Sequence, residues 1–272
     1  ERWAKFFKEQ RFGVGLSIDG PKEVNDRTRV YRGNAGAFDA IKRGADVLEE
    51  HGVDFGYLVV MSKQNIGSID EIIDFMKTQK RSYKLVAVAP IGRASRDTGT
   101  LMPEADNFSE SQLRLFERWM SEGDPTQRTA LWKYIVPVLT SVPIECIFQK
   151  DCQKSFIGVD SNGDAYPCGR FCGGNSYKYG NFVTDTFEMI WNNPDRLRVS
   201  NRHKSLPDSC KICKHGEICN GGCPLQGLLT GSLHNPDYNC RQYRKIFEGI
   251  ESRVLSESGL TGESQGLART SA

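Results

Sequence analysis

Four cysteines stand within fourteen residues in the stretch CKICKHGEICNGGC, from Cys210 to Cys223, with the spacing C-x2-C-x5-C-x3-C. Cys240 follows after sixteen residues, and Cys146, Cys152 and Cys168 lie upstream around SFIGVDSNGDAYPCG. Thiolates are soft donors. Four of them close a tetrahedral zinc site, or hold one iron each in a [4Fe–4S] cluster. These eight thiols suffice for two four-thiolate sites, and spacing alone leaves zinc and iron–sulfur equally open. Buried, unliganded cysteines fit less well, because eight of them between residues 146 and 240 exceed what packing requires. The ninth, Cys172, has no place in the pattern and reads as a free thiol.

The chain around these residues has 272 positions, enough for one large domain or two smaller ones. It carries 36 basic and 34 acidic residues, a net charge of +2, scattered without a patch. That balance offers no footprint for nucleic acid or an anionic membrane. Hydrophobic residues make up 38%, mean hydropathy is −0.48, and no apolar run has membrane length, so the expectation is a water-soluble protein. The N-terminal ERWAKFFKEQ is no signal peptide. A cytoplasmic setting is therefore expected, where thiols stay reduced and disulfides are disfavoured. The sequence lacks an initiating methionine and opens inside an amphipathic helix, so it reads as a piece of something longer.

The elements that must position the cysteines begin with strand–helix alternation. FGVGLSI (12–18), VDFGYLVVM (53–61) and YKLVAVAPI (83–91) read as strands. Between them, Phe38, Ile41, Ala45 and Leu48, and then Ile69, Ile72, Ile73 and Met76, repeat at helical spacing, with Gly52 closing the first helix. This order predicts a parallel sheet with right-handed crossovers. Residues 93–106 read as a polar connector, followed by a helix through Leu113, Phe116 and Met120 and a short helix over 131–139. SFIGVDSNGDAYPCG predicts a β-hairpin, with Asn-Gly supplying positive φ angles. Short and longer helices are expected over DTFEMIWNN and YNCRQYRKIFEGIESRVL, and the Gly/Ser/Thr-rich tail reads as disordered. His215 reads as a solvated loop residue.

The eight-cysteine pattern, from Cys146-x5-Cys152 through Cys168 and the C-x2-C-x5-C-x3-C run to Cys240, resembles the SPASM domain of radical SAM peptide-modifying enzymes, and most nearly the anaerobic sulfatase-maturating type. The resemblance implies two auxiliary [4Fe–4S] clusters with interleaved ligands. Cys146, Cys152, Cys168 and Cys223 would hold the first, and Cys210, Cys213, Cys219 and Cys240 the second. LSIDGPKEVNDRTRV is similar to the stretch after the fourth barrel strand of these enzymes. It implies that Ser17 and Arg29 contact S-adenosylmethionine, with residues 86–90 on its adenine side. A hydroxyl at a strand's C-terminal end and a guanidinium suit the polar and carboxylate groups of that cofactor.

The implied fold class is α/β. The C-terminal half of a partial (β/α)6 TIM-like radical SAM barrel (1–92) would precede a helical connector (93–140), a SPASM auxiliary-cluster domain of β-hairpin and short helices (141–255) and a disordered tail (256–272). The family's C-x3-C-x2-C motif, which binds the SAM-cleaving third [4Fe–4S] cluster, is absent: Cys168-x3-Cys172 and Cys219-x3-Cys223 begin that spacing without a third cysteine. The motif is expected in a preceding segment, so this chain alone is not expected to cleave SAM.

Sulfatase-maturating enzymes carry a catalytic aspartate directly after the cysteine that matches Cys168, and here Gly169 stands there. The favoured expectation is an enzyme that abstracts hydrogen through a 5′-deoxyadenosyl radical and cross-links or cyclises a peptide or protein side chain. Flavodoxin or ferredoxin is the expected electron donor. Asp160 and Asp164 are weak candidates for the base, with a turn-forming role as the stronger reading. The alternatives are a sulfatase-maturating enzyme and a non-catalytic zinc-binding interaction module.

Overall fold

The structure, a computed structural model, describes residues 1–258 except 105, 155 and 175. It divides into two units, Glu1–Ile135 with Glu248–Ala272, and Val136–Phe247.

The first unit contains α1 (Arg2–Glu9), β1 (Val14–Ser17), α2 (Lys22–Asn25), α3 (Phe38–Glu50), β2 (Phe55–Met61), α4 (Ile69–Thr78), β3 (Tyr83–Ala87), α5 (Thr98–Leu101), α6 (Asn107–Glu122) and the start of α7 (Pro125–Thr140). The strands form a parallel sheet in the order β1-β2-β3, with Ser17 opposite Leu58 and Met61 opposite Ala87. The central strand alternates strictly: Phe55, Tyr57, Val59 and Met61 are buried. α4 adds Ile72, Ile73 and Met76 to this core, at the helical spacing that marks its buried face. Gly52, at φ 61°, ends α3 in the left-handed conformation that glycine adopts without strain. Among the described residues the three strands make an open sheet, not a closed barrel.

Two segments depart from the sequence reading. The connector carries α5, and α7 starts well before Leu131, because Asp124 accepts the Thr126 N–H at 2.8 Å and Pro125 opens the helix. An aspartate cap followed by proline at the first helical position is a start signal.

The second unit holds β4 (Gly158–Val159), β5 (Asp164–Tyr166), β6 (Gly180–Asn181), α8 (Phe187–Trp191), α9 (Pro194–Ser200), α10 (Asp208–Lys211), α11 (Gly216–Cys219), α12 (Pro224–Leu228) and α13 (Cys240–Ser258) as far as Phe247. The strands are antiparallel in the order β4-β5-β6. In the hairpin, the Asp160 N–H donates to the Asp164 carbonyl and the Gly163 N–H to that of Asp160. Of the Asn-Gly pair only Gly163 has positive φ (88°), so the loop is a three-residue turn closed by one left-handed glycine. Strand β6 was not expected, since two residues display no periodicity.

Ala165, Tyr179 and Ile190 form one small core. Another packs Phe148 against Tyr243 and Phe247, with ring centroids 5.0 and 5.4 Å apart. α13 runs through Ser258, so residues 256–258 of the expected tail are helical; residues 259–272 lie outside the described residues.

Candidate metal centre

Cys210 sits on α10, Cys213 on the turn after it, Cys219 at the end of α11 and Cys240 at the start of α13. These four line one cavity of ≈ 110 Å³, together with His215 and Arg244. Close backbone approach makes this possible. A Cβ on Gly216 would lie 2.4 Å from the Cys210 carbonyl oxygen, so only glycine lets α11 start there. Between Cys219 and Cys223, Asn220, Gly221 and Gly222 take φ of 50°, 74° and 70°, three consecutive left-handed residues that reverse the chain.

Burial pushes the Cys219 thiol strongly up, and the Asp237 carboxylate and the Cys240, Cys210 and Cys213 sulfurs add to it. Burial likewise raises Cys210 and Cys240. Such thiols hold their protons at neutral pH until a metal displaces them.

Cys146, Cys152 and Cys168 form a second gathering. Burial raises the Cys152 thiol, the Gln153 hydrogen bond opposes this, and the Cys146 and Cys168 sulfurs raise it further. Gln153 Nε2 donates to Cys152 Sγ at 3.3 Å, and its Oε1 accepts from Tyr179 Oη at 2.7 Å. Arg196, stacked on Trp191, donates to the Gln153 carbonyl at 3.1 Å. Gly158 admits the Cys168 carbonyl carbon, which would lie 2.4 Å from a Cβ. Cys223 is pushed up to about 11 by burial and then Asp237, with Arg170, two residues after Cys168, opposing. Its N–H donates to Asp237 Oδ2 at 2.8 Å.

Among the described residues, no group of three or more His, Cys, Asp or Glu side chains is arranged to hold a single metal ion. The thiol-lined cavity has room for a body larger than one ion. Soft donors around a space of that size fit an iron–sulfur cluster.

The remaining candidates lie as follows. Ser17 ends β1, half-buried, and no hydrogen bond joins it to Arg29 among the described residues. Arg29 is held by the buried carboxylate of Asp19: Nη2 donates to Oδ1 at 2.9 Å and Nε stands 2.9 Å from Oδ2. Asp19 also accepts from the Val60 N–H and Thr28 Oγ1, so it binds β1, β2 and the α2 segment together.

Asp164 is engaged by Lys178, Asn181 and Asn162, which hold its carboxyl below the usual range. Asp160 frames the hairpin turn. Both are thus engaged in hydrogen bonds of the hairpin and its neighbours. Cys172 Sγ lies 3.8 Å from the Cys168 carbonyl oxygen. His215 is not solvated: it is buried, its ring 5.5 Å from that of Phe247. Arg202, Asp237 and Gln153 were missed by sequence reasoning. The NGG between two cysteines was a usable signal for the chain reversal; an arginine eight residues before Cys210 was not.

Residues 146–214 match SPASM, described as an iron–sulfur cluster-binding domain. The chain is 29% identical to the cysteine-type anaerobic sulfatase-maturating enzyme of Clostridium novyi (strain NT), over 93% of this chain and 69% of the relative. It is 26% identical to the serine-type enzyme of Bacteroides thetaiotaomicron, over 92% and 64%, and 25% identical to the mycofactocin maturase of Mycolicibacterium smegmatis, over 87% and 59%. The chain thus spans about two thirds of the length of such relatives. A solved structure described as native anSMEcpe with bound AdoMet superposes with a TM-score of 0.80 at 22% identity, covering 95% of this chain and 72% of that one, which is a likeness of fold. In its cysteine pattern, its SPASM segment and these relatives, the chain is similar to the radical SAM/SPASM peptide-modifying enzymes.

Proposed function

We propose that the chain is the cluster-bearing and SAM-contacting part of a radical SAM/SPASM maturase that modifies a side chain of a peptide or protein. The observation that supports this most is the single cavity surrounded by Cys210, Cys213, Cys219 and Cys240. Those four would hold one auxiliary [4Fe–4S] cluster, and Cys146, Cys152, Cys168 and Cys223 the other. When bound, the clusters supply one-electron transfer and, with SAM and a third cluster elsewhere in the full-length protein, radical hydrogen abstraction.

The chain's own residues do the positioning. The open sheet is read as part of a partial barrel, with Ser17 and Arg29 at its C-terminal edge to receive the cofactor's polar and carboxylate groups. Asp19 occupies the Nε–Nη2 side of Arg29, which leaves the Nη1 end for a ligand carboxylate. Gln153 donates a hydrogen bond to Cys152 Sγ, a contact that tunes cluster potential. Gly169, where the resemblance to sulfatase-maturating enzymes implies an aspartate, favours cross-linking or cyclisation over formylglycine formation. Flavodoxin or ferredoxin would deliver electrons, in a cytoplasmic setting.

The test is to reconstitute the chain anaerobically and measure iron, sulfide and zinc. About eight irons and eight sulfides per chain are expected, falling to about four of each in Cys210→Ala. Zinc without sulfide would leave an interaction module stapled by zinc. In the full-length enzyme, Cys146→Ala or Cys223→Ala is expected to abolish turnover of the peptide.

A further inference from the structure

Arg202, in the turn after α9, is only 3% exposed. Its guanidinium reaches five backbone carbonyls: Nε donates to Leu233 at 2.5 Å, Nη1 to Gly222 at 2.9 Å and Asn220 at 3.4 Å, and Nη2 to Gly221 at 2.9 Å and Asn235 at 2.7 Å. Arginine has five N–H donors, so each is used. Three of the acceptors are the residues between Cys219 and Cys223, and the other two precede Asp237. The side chain is thereby locked beside both cysteine sets.

Carbonyls satisfy its hydrogen bonds but carry no formal charge. Among the described residues Arg202 makes no salt bridge with a carboxylate, and a buried cation without a counter-charge is costly. Burial lowers its pKa, and the negative groups that oppose this are Asp237, then Cys223, Cys210 and Cys219. Asp237 is itself committed to the N–H groups of Cys223 and Asn239. Thiolates loaded with a cluster would add to the counter-charge that the Asp237 carboxylate supplies.

We propose that Arg202 is a fixed counter-cation of the cysteine site, which raises the reduction potential of the cluster held by Cys210, Cys213, Cys219 and Cys240. Resting on the cluster assignment above, the inference follows from Coulomb's law in a buried setting: the reduced cluster carries one more negative charge, and a nearby cation held in place stabilises it. With its donors all spent on carbonyls, Arg202 acts through its charge and is a positioning residue, not a catalytic one.

The experiment is EPR-monitored redox titration of the full-length protein as wild type, Arg202→Lys and Arg202→Gln, with iron and sulfide content measured on each. The signal of this cluster is the one missing from Cys210→Ala. Arg202→Gln is expected to retain iron and to shift that signal's midpoint to a more negative potential, while Arg202→Lys stays near wild type. If Arg202→Gln sheds iron, the lysine variant decides: retained iron at the wild-type potential supports the counter-cation, and loss in both variants shows that the carbonyl grip alone matters and overturns it. Full iron with an unshifted potential in Arg202→Gln, or equal shifts in both variants, also overturns it. Wild-type protein with zinc and no sulfide would instead remove the cluster assignment, before any variant is compared.

Discussion

The side-chain amide of Asn220 donates to the carbonyl of Phe148 at 2.8 Å, which joins the turn carrying Cys146 to the chain reversal after Cys219. The two cysteine segments are therefore tied by protein bonds as well as by any shared metal. Asn220 also donates to the Glu217 carbonyl at 2.9 Å and sits at φ 50°, where asparagine is tolerated. Asn220→Gly keeps the conformation and loses the amide, at a cost of about 1–2 kcal/mol. Asn220→Ala adds left-handed strain, for about 3 kcal/mol in all. Guanidinium denaturation of wild type and the two variants should rank them in that order; a glycine variant as stable as wild type would show the bond to be idle.

Asp19 is the corresponding anchor of the first unit. It is 2% exposed and accepts from Arg29, Thr28 and Val60. Asp19→Ala leaves the half-buried guanidinium and a β2 N–H without their acceptor, and is expected to cost about 3–5 kcal/mol. Asp19→Asn keeps the Oδ1 acceptor of the Val60 N–H and offers an amide N–H to Thr28 Oγ1, and should recover part of that loss in urea titrations.

Glu122, at the end of α6, has its carboxyl pulled down to about 2, first by Lys77 and then by Arg118, which donate at 2.7 and 2.8 Å. The folded value lies below the ordinary 4.5, so this contribution is present in full above pH 4.5 and is lost as pH falls toward 2. The site is partly exposed, which limits its worth to about 1 kcal/mol. Glu122→Gln should therefore lower stability at neutral pH and flatten the acid limb of the stability profile in that window. An unchanged acid limb in the variant would refute the assignment.

Gly169 has open space where a Cβ would stand, and its φ is not positive. A carboxylate fits there sterically. Gly169→Asp is expected to fold with a stability within about 0.5 kcal/mol of wild type and to keep its iron content. Mass spectrometry of a sulfatase peptide treated with full-length wild type should show no formylglycine. Its appearance would favour the sulfatase-maturating alternative despite the glycine.

The sheet and the cysteine pattern were legible in the sequence for different physical reasons. Val59, Ile72 and Met76 repeat at the periods of strand and helix because one face of each element must be dry, and periodicity is a local property. Cys210, Cys213, Cys219 and Cys240 are visible because few other reasons place that many thiols together. Sequence by itself thus determined the α/β order, the parallel pairing and the grouping of the thiols. Only tertiary structure decided that His215 is buried against Phe247, that Asp164 is spent on Lys178 and that Asp19 holds Arg29. It alone brought Arg202 to five carbonyls drawn from two loops. Those outcomes depend on which distant backbone groups meet in space, and no local period or spacing encodes a partner thirty residues away.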